Sequence, residues 1–254
     1  MYYEAQMIGL KIIEIPQFAS QPSMIAALPD MGNVAGIGIR FLAKKLNAKL
    51  FAEIYSYWPP YVTYNDGIIN YSQASYKFYY VADYNIVIFT GDFNPNDPRR
   101  LYEICFEVLK MAERMDVKLL YSIGAALRQV NAASDIERVV YGAVNMPEIL
   151  DYIKKPGITI LQGEGQIAGF NGLILGLAKE RGMNAVCILG EIDNPNVIQP
   201  KTAQVILRIL LNMLGVRSLD MSELDEEEKR KKFMEQQMNY FEKVIEHGEP
   251  PGIA

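Results

Sequence analysis

Hydrophobic positions along the 254-residue chain follow two alternating rhythms. Short apolar runs at 7–15, 24–28, 50–54, 85–90, 117–123, 158–161 and 185–189 read as strands, with a further short one at 138–142. The run at 185–189 is apolar at every position, as suits a strand covered on both faces. Between the runs the spacing changes to i, i+3, i+4. Val34, Ile37, Phe41 and Leu42 form one such face, and Leu101, Ile104, Cys105 and Val108 a second. Phe170, Leu173, Ile174, Leu177 and Ala178 form a third, and Ala203, Ile206, Leu207 and Leu210 a fourth. A short helix is expected at 146–153. Asp97 before Pro98 supplies the cap and first turn of the helix after 97.

The segment 157–191 organises this reading. A strand at 158–161 leads through a glycine-rich loop, 162–172, into the helix at 168–181 and then the strand at 185–189. The pattern predicts a strand, a crossover helix and a parallel neighbour, a unit that is right-handed almost without exception. Asn171 is the one clearly polar side chain inside this helix before Lys179. A helix apolar nearly all round is buried on more than one side. It is therefore expected to lie between the sheet and a second layer or another subunit.

Two segments break the rhythm. Residues 58–80 are rich in Tyr and β-branched types, and Asn65-Asp66-Gly67 separates two extended runs. Asp-Gly accepts the positive φ of a tight turn, so a hairpin is predicted at the sheet edge. Its Tyr61 and Tyr64 either contact a partner or pack on the hairpin itself. Residues 221–247 read as a helix that starts at Ser222 and carries the charged run 225–232. Its first half is expected to be solvated. Its second half is expected to dock the apolar stripe Phe233, Met238, Phe241 and Ile245, and residues 248–254 to form a flexible tail. The expected fold is α/β: a three-layer α/β/α sandwich over 1–220 with a mainly parallel sheet, plus the edge hairpin and the C-terminal helix and tail at 221–254.

Composition narrows the function. Half the residues are hydrophobic and 22% are charged, so a sizeable core is possible and global disorder is excluded. A formal net charge of -5, with no basic helix face, argues against nucleic acid as a partner. No apolar run is long enough for a membrane span, and the N-terminal residues lack a signal-peptide pattern. Cys105 and Cys187 fall at core positions and read as buried, reduced thiols, which fits a cytoplasmic protein.

Candidate chemistry is sparse. The single histidine, His247, lies near the C-terminus, which speaks against Ser-His or Cys-His nucleophilic catalysis. Metal sites of the usual Cys and His kinds find too few ligands, so no metal or other cofactor is expected. Asp92, Asn94, Asn96 and Glu103 imitate calcium-loop spacing, but Asp97 stands where glycine is needed and two prolines intrude. One enzymatic alternative remains: a nucleotide-binding enzyme of ligase or oxidoreductase type. In it, Gly163, Gly165 and Gly169 would hold a phosphate on the helix N-terminus and Glu191 would hold a ribose. The spacing is one residue longer than the usual fingerprint, and Glu164 adds a negative charge beside the phosphates. The preferred reading gives these glycines to a tight turn and to close helix–sheet packing.

Four segments resemble one family: ALPDMGNVAGIGIRFL at 27–42, NAKLFAEIYSYWPP at 47–60, IVIFTGDFNP at 86–95 and GFNGLILGLAKERGMNAVCILGE at 169–191. They are similar to the archaeal and bacterial relatives of the second proteasome assembly chaperone. The resemblance implies an α/β/α fold akin to purine nucleoside phosphorylases and a homo-oligomer with no assigned catalysis. It also implies proteasome α subunits or another assembly factor as partners. Some relatives dock through a C-terminal hydrophobic-Tyr-any tripeptide. This chain ends Gly252-Ile253-Ala254, with Ile253 at the Tyr position, so that docking mode is not expected here. The expected function is that of a non-catalytic assembly or protein-interaction protein, binding partners through Tyr61, Tyr64 and the stripe of the C-terminal helix.

Overall fold

A computed structural model describes residues 8–56, 61–71, 73–128, 138–154 and 157–247, with the backbone alone for 239–247. Its strands are β1 (Ile8–Ile12), β2 (Ser23–Ala26), β3 (Lys49–Ser56), β4 (Thr63–Asn65), β5 (Ile68–Asn70), β6 (Ala74–Val81), β7 (Ile86–Gly91), β8 (Leu119–Leu127), β9 (Val140–Val144), β10 (Thr159–Ile160) and β11 (Ala185–Ile192). Its helices are α1 (Val34–Lys45), α2 (Pro98–Arg114), α3 (Gly169–Glu180), α4 (Pro200–Met213) and α5 (Ser222–His247). The predicted short helix is a 3-10 segment, Pro147–Ile153.

Nine strands form one mixed sheet in the order β1-β3-β6-β7-β2-β8-β11-β9-β10. The centre, β7-β2-β8-β11, is parallel throughout. The flanks are antiparallel where β1 meets β3, β3 meets β6, β6 meets β7 and β9 meets β11. Parallel pairing is thus concentrated where both faces are covered, as expected for strands with no solvated side. Side chains of β2 and the residues after it alternate between two cores. Met24, Ala26 and Leu28 join the layer of α2 and α3, while Ile25 and Ala27 join that of α1 and α4. The three-layer α/β/α architecture is therefore present.

The segment 157–191 departs from its predicted form. β10 pairs parallel with β9 at the sheet edge, and β9 runs antiparallel to β11. β10 therefore runs opposite to β11 and is not its neighbour, so the segment is not a right-handed parallel unit. Apolar runs do not encode direction. α3 buries Phe170, Ile174, Leu175 and Ala178 between the sheet and α2, which lies beside it. That neighbour takes up the apolar surface for which another subunit was an open option. The cap before α2 is as expected: Asp97 accepts a hydrogen bond from the Arg99 backbone N–H at 2.9 Å, with Pro98 in the first turn. Both cysteines are free and buried, and burial pushes the Cys187 thiol up to about 12.

α5 begins by docking on α4, with Met221 and Leu224 buried.

Candidate functional site

Two apolar surfaces and one polar cluster stand out. The first surface is the hairpin β4–β5. Asp66 and Gly67 have φ of 48° and 77°, the positive pair a two-residue turn of the I′ type requires. Three residue pairs close it: Thr63 with Asn70, Tyr64 with Ile69, and Asn65 with Ile68. The hairpin is a two-stranded sheet of its own, inserted in the chain between β3 and β6, and it extends neither edge of the main sheet. Tyr61 and Tyr64 are 65% and 80% exposed, so they do not pack on the hairpin.

The second surface is on α5, where burial and charge are the reverse of expectation. Leu224, Glu228 and Lys231 share one face at i, i+4, i+7, and that face docks. The Glu228 carboxylate accepts from the Lys201 backbone N–H at 3.2 Å, in the first turn of α4, where a negative charge suits the helix dipole. The Lys231 ammonium donates to Gln199 at 3.1 Å and sits 3.8 Å from Glu235. Lys44, at the end of α1, pairs with Glu223 at 2.8 Å. The charged half is therefore the docked half. Phe233, Met234 and Met238 lie outward and exposed. The side chains of Phe241 and Ile245 lie outside the described residues. A groove of about 490 Å³ between α1 and α5 ends at Met234, with Phe41 and Ile198 in its wall.

The glycine-rich loop does not assemble a dinucleotide site. Gly163 and Gly169 have φ of +72° and +68°, so they serve turns. A Cβ on Gly163 or Gly165 would meet nothing within 4 Å, so neither serves helix–sheet packing. Glu191 is buried at the end of β11. It is held by Arg128 Nε at 3.1 Å and the Tyr141 hydroxyl at 3.5 Å, with its carbonyl accepting from Thr202. These bonds lock β8, β9, β11 and α4 together. The dinucleotide layout also requires a parallel strand pair around the loop, which β10 and β11 are not. In the calcium-like spacing, Asp97 is used as the cap and Glu103 pairs with Arg100 at 2.6 Å. Among the described residues no cluster of His, Cys, Asp or Glu could hold a metal ion.

The polar cluster was not anticipated. Beyond the carboxyl end of β2 and beside the middle of β8, Asp30 Oδ1 accepts from the Ala35 backbone N–H at 2.8 Å, in the first turn of α1. Its Oδ2 is buried without a hydrogen-bond partner. Burial raises the Asp30 pKa to about 7, and neighbouring backbone N–H groups, that of Ala35 first, offset part of the rise. Ser122 donates to Asn171 Oδ1 at 2.5 Å. A Cβ on Gly124 would stand 2.1 Å from Asn171 Nδ2 and 3.1 Å from Asp30 Oδ2, so a side chain there would push the Asn171 amide from its place. Two sequence signals bear on this cluster. Asn171 is the lone polar residue of an apolar helix, and Asp30 follows directly on a buried strand.

The comparisons with known proteins agree with this architecture. The model of the PAC2 family matches residues 24–239, most of the chain. The chain belongs to the PAC2 family. A relative from Methanocaldococcus jannaschii, itself uncharacterized, is 27% identical over 248 residues, 96% of this chain and 90% of its own. Among solved structures, PbaB of Pyrococcus furiosus, described as an archaeal proteasome activator, superposes with a TM-score of 0.76 at 24% identity. The superposition covers 93% of this chain and 99% of PbaB. PbaA of the same organism, described as an archaeal homolog of proteasome-assembly chaperone, gives 0.72 at 23% identity, over 94% and 97%. At this identity the two likenesses bear on the fold. They place this PAC2 chain among proteins of one architecture from end to end. Among the described residues, no helix of this PAC2 protein is long and apolar enough to cross a membrane.

Proposed function

We propose that this PAC2 protein is a non-catalytic, cytoplasmic assembly protein that self-associates and engages proteasome α subunits. The observation that carries the reading is family membership across residues 24–239. The whole-chain fold likeness to two archaeal proteins described in terms of the proteasome supports it. So does the placement of large apolar side chains on the surface: Phe233, Met234 and Met238 on α5, and Tyr61 and Tyr64 on the hairpin. Exposed aromatic and Met side chains grouped in this way mark protein contacts. In this reading the outer stripe of α5 meets the client.

The test is capture of purified proteasome α subunits by the wild-type chain, by a variant lacking residues 249–254, and by Phe233→Asp and Met238→Asp. Capture by the wild type is expected, with little change on removal of 249–254, because in this reading the outer stripe of α5 carries the contact. Each Asp variant is expected to bind about tenfold more weakly, as for an apolar anchor given a charge that must be desolvated. No capture by the wild type overturns the client reading. Loss on removal of 249–254 alone moves the docking to the tail.

A further inference from the structure

The hairpin is the part of the surface that the fold itself leaves unexplained. Tyr64 and Ile69 are directly paired across its two strands and so point to the same side. Alternation adds Val62 and Tyr71 to that side and places Thr63, Asn65 and Asn70 on the other. The second side faces back toward the body at its base, where Thr63 and Asn70 line a cleft with Asp92 and Phe93. The first side faces away: Val62, Tyr64, Ile69 and Tyr71 are 48%, 80%, 68% and 44% exposed, and Ile68 at the tip is 74% exposed.

We infer that this outward face is where the chain pairs with a second copy of itself. The inference rests on the self-associating reading above and assigns its surface. Area is the first argument. The exposed parts of Val62, Tyr64, Ile69 and Tyr71, with Ile68 at the tip, come to roughly 600 Å², the lower end of the ~600–1,000 Å² each partner brings to a stable interface. It also stands at the top of the ~300–600 Å² of the largest apolar patch on an ordinary monomer.

Charge is the second argument. Residues 61–71 contain one charged side chain, Asp66, at the turn. Such a face offers no pattern of charges to a dissimilar partner, and the most apolar interfaces are those of homodimers. The chain as a whole carries -5, so two copies repel over most of their surface and can approach where charge is absent. The third argument is the strand edge. An isolated two-stranded hairpin is marginally stable in water. Its outer edges bear neither Lys nor Pro, the usual guards against pairing with another strand. A two-fold axis through this face matches each apolar residue with its own kind, as a closed dimer contact requires.

The experiment measures the mass of the full chain in solution at micromolar concentration, by light scattering on an eluting column. It compares wild type, Tyr64→Lys/Ile69→Lys and Tyr64→Phe/Ile69→Val, with thermal unfolding beside it. Wild type is expected at a multiple of the single-chain mass. The Lys pair is expected to lower that mass at least twofold with the unfolding midpoint of the dissociated chain unchanged, and the apolar pair to restore it. A wild-type monomer overturns the inference, as does a Lys pair that keeps the wild-type mass. No client enters this measurement. Loss of the oligomer with α-subunit capture intact leaves the client reading standing, and capture lost in the Asp variants of α5 leaves the hairpin assignment standing.

Discussion

The first half of α5 and the hairpin β4–β5 reverse the usual link between polarity and burial. The run 225–232 is charged at every position, yet Glu228 and Lys231 are 8% and 4% exposed. The hairpin is nearly free of charge, yet Tyr64 and Ile68 are 80% and 74% exposed. The difference lies in what each segment finds within its own chain. Glu228 finds the backbone N–H of Lys201 at the start of α4, and Lys231 finds Gln199 and Glu235. A charge that is paired and hydrogen-bonded tolerates burial. The hairpin leaves the sheet after β3 and meets no second layer, so its apolar face stays bare. Intrachain partners, more than composition, decide which segment is buried. The bare apolar face is then what remains for another molecule.

The docked half offers the most severe way to break this contrast. Leu224 is 2% exposed against α1 and α4, so Leu224→Asp is expected to destabilise the chain by about 3–5 kcal/mol. Glu228→Ala is expected to cost about 1–3 kcal/mol, through the freed N–H of Lys201 and the loss of a negative charge at the start of α4. Urea unfolding of both variants, with Glu227→Ala as a half-buried neighbour, checks this. Equal small effects for Glu228 and Glu227 would mean that the charged run is merely solvated.

Much of the fold could be read from the chain because its signals are local. Asp66-Gly67 specified the hairpin, Asp97-Pro98 the start of α2, and the unbroken apolar run of 185–189 the buried β11. What depends on distant partners could not be read. β10 is two residues long and runs against β11, and its direction is set by pairing with β9, which no residue type records. The charged run looked like a solvated face because its acceptors and donors sit on α4 and on the loop before it. Asp30 and Gly124 are nearly a hundred positions apart and meet only because β2 and β8 are adjacent. The glycine loop looked like a phosphate cradle because Gly163, Gly165 and Gly169 have nearly the right spacing, but spacing carries no strand direction.

Asp30 tests the rule that partners decide, because one of its oxygens has none. Its folded pKa of about 7 lies above the ordinary value of 3.8, so the folded state holds a proton that the unfolded state releases. Stability from this group is complete below the unfolded value. It declines as pH rises between 3.8 and about 7 and is gone above that window. Asn stays neutral and keeps an acceptor for the Ala35 N–H. Asp30→Asn is therefore expected to stabilise the chain by about 2 kcal/mol in alkaline buffer and to change little at acid pH. Unfolding midpoints at both ends of that range decide it. A variant with the wild-type pH profile would show that Asp30 is solvated.

Smaller effects separate the glycines. Gly163→Ala is expected to cost about 1 kcal/mol because its φ of +72° disfavours a Cβ, whereas Gly165→Ala, with open space around it, is expected to cost nothing measurable. In the nucleotide-enzyme alternative Gly165 would face the phosphates. Saturable binding of a dinucleotide or ATP that disappears in Gly165→Val would bring that alternative back.

The smallest expected effect on stability is in the hairpin, and it is the sharpest form of the comparison. Ile54 in β3 and Ile69 in β5 are the same residue in the same kind of element, but Ile54 is 0% exposed and Ile69 is 68% exposed. Thr keeps the β-branch but puts a hydroxyl in place of the ethyl group. In the core that hydroxyl must be buried, and Ile54→Thr is expected to cost roughly 2–3 kcal/mol. In the hairpin it meets water, and Ile69→Thr is expected to change unfolding by less than about 0.5 kcal/mol in dilute solution, where chains are single. The two variants are compared by urea unfolding across a dilution series. As concentration rises, the gap is expected to narrow, because association buries Ile69 and the hydroxyl then acts at an interface. A cost for Ile69→Thr equal to that for Ile54→Thr at every dilution would mean that the hairpin is already packed within its own chain. In that case its apolar face is not a surface in waiting.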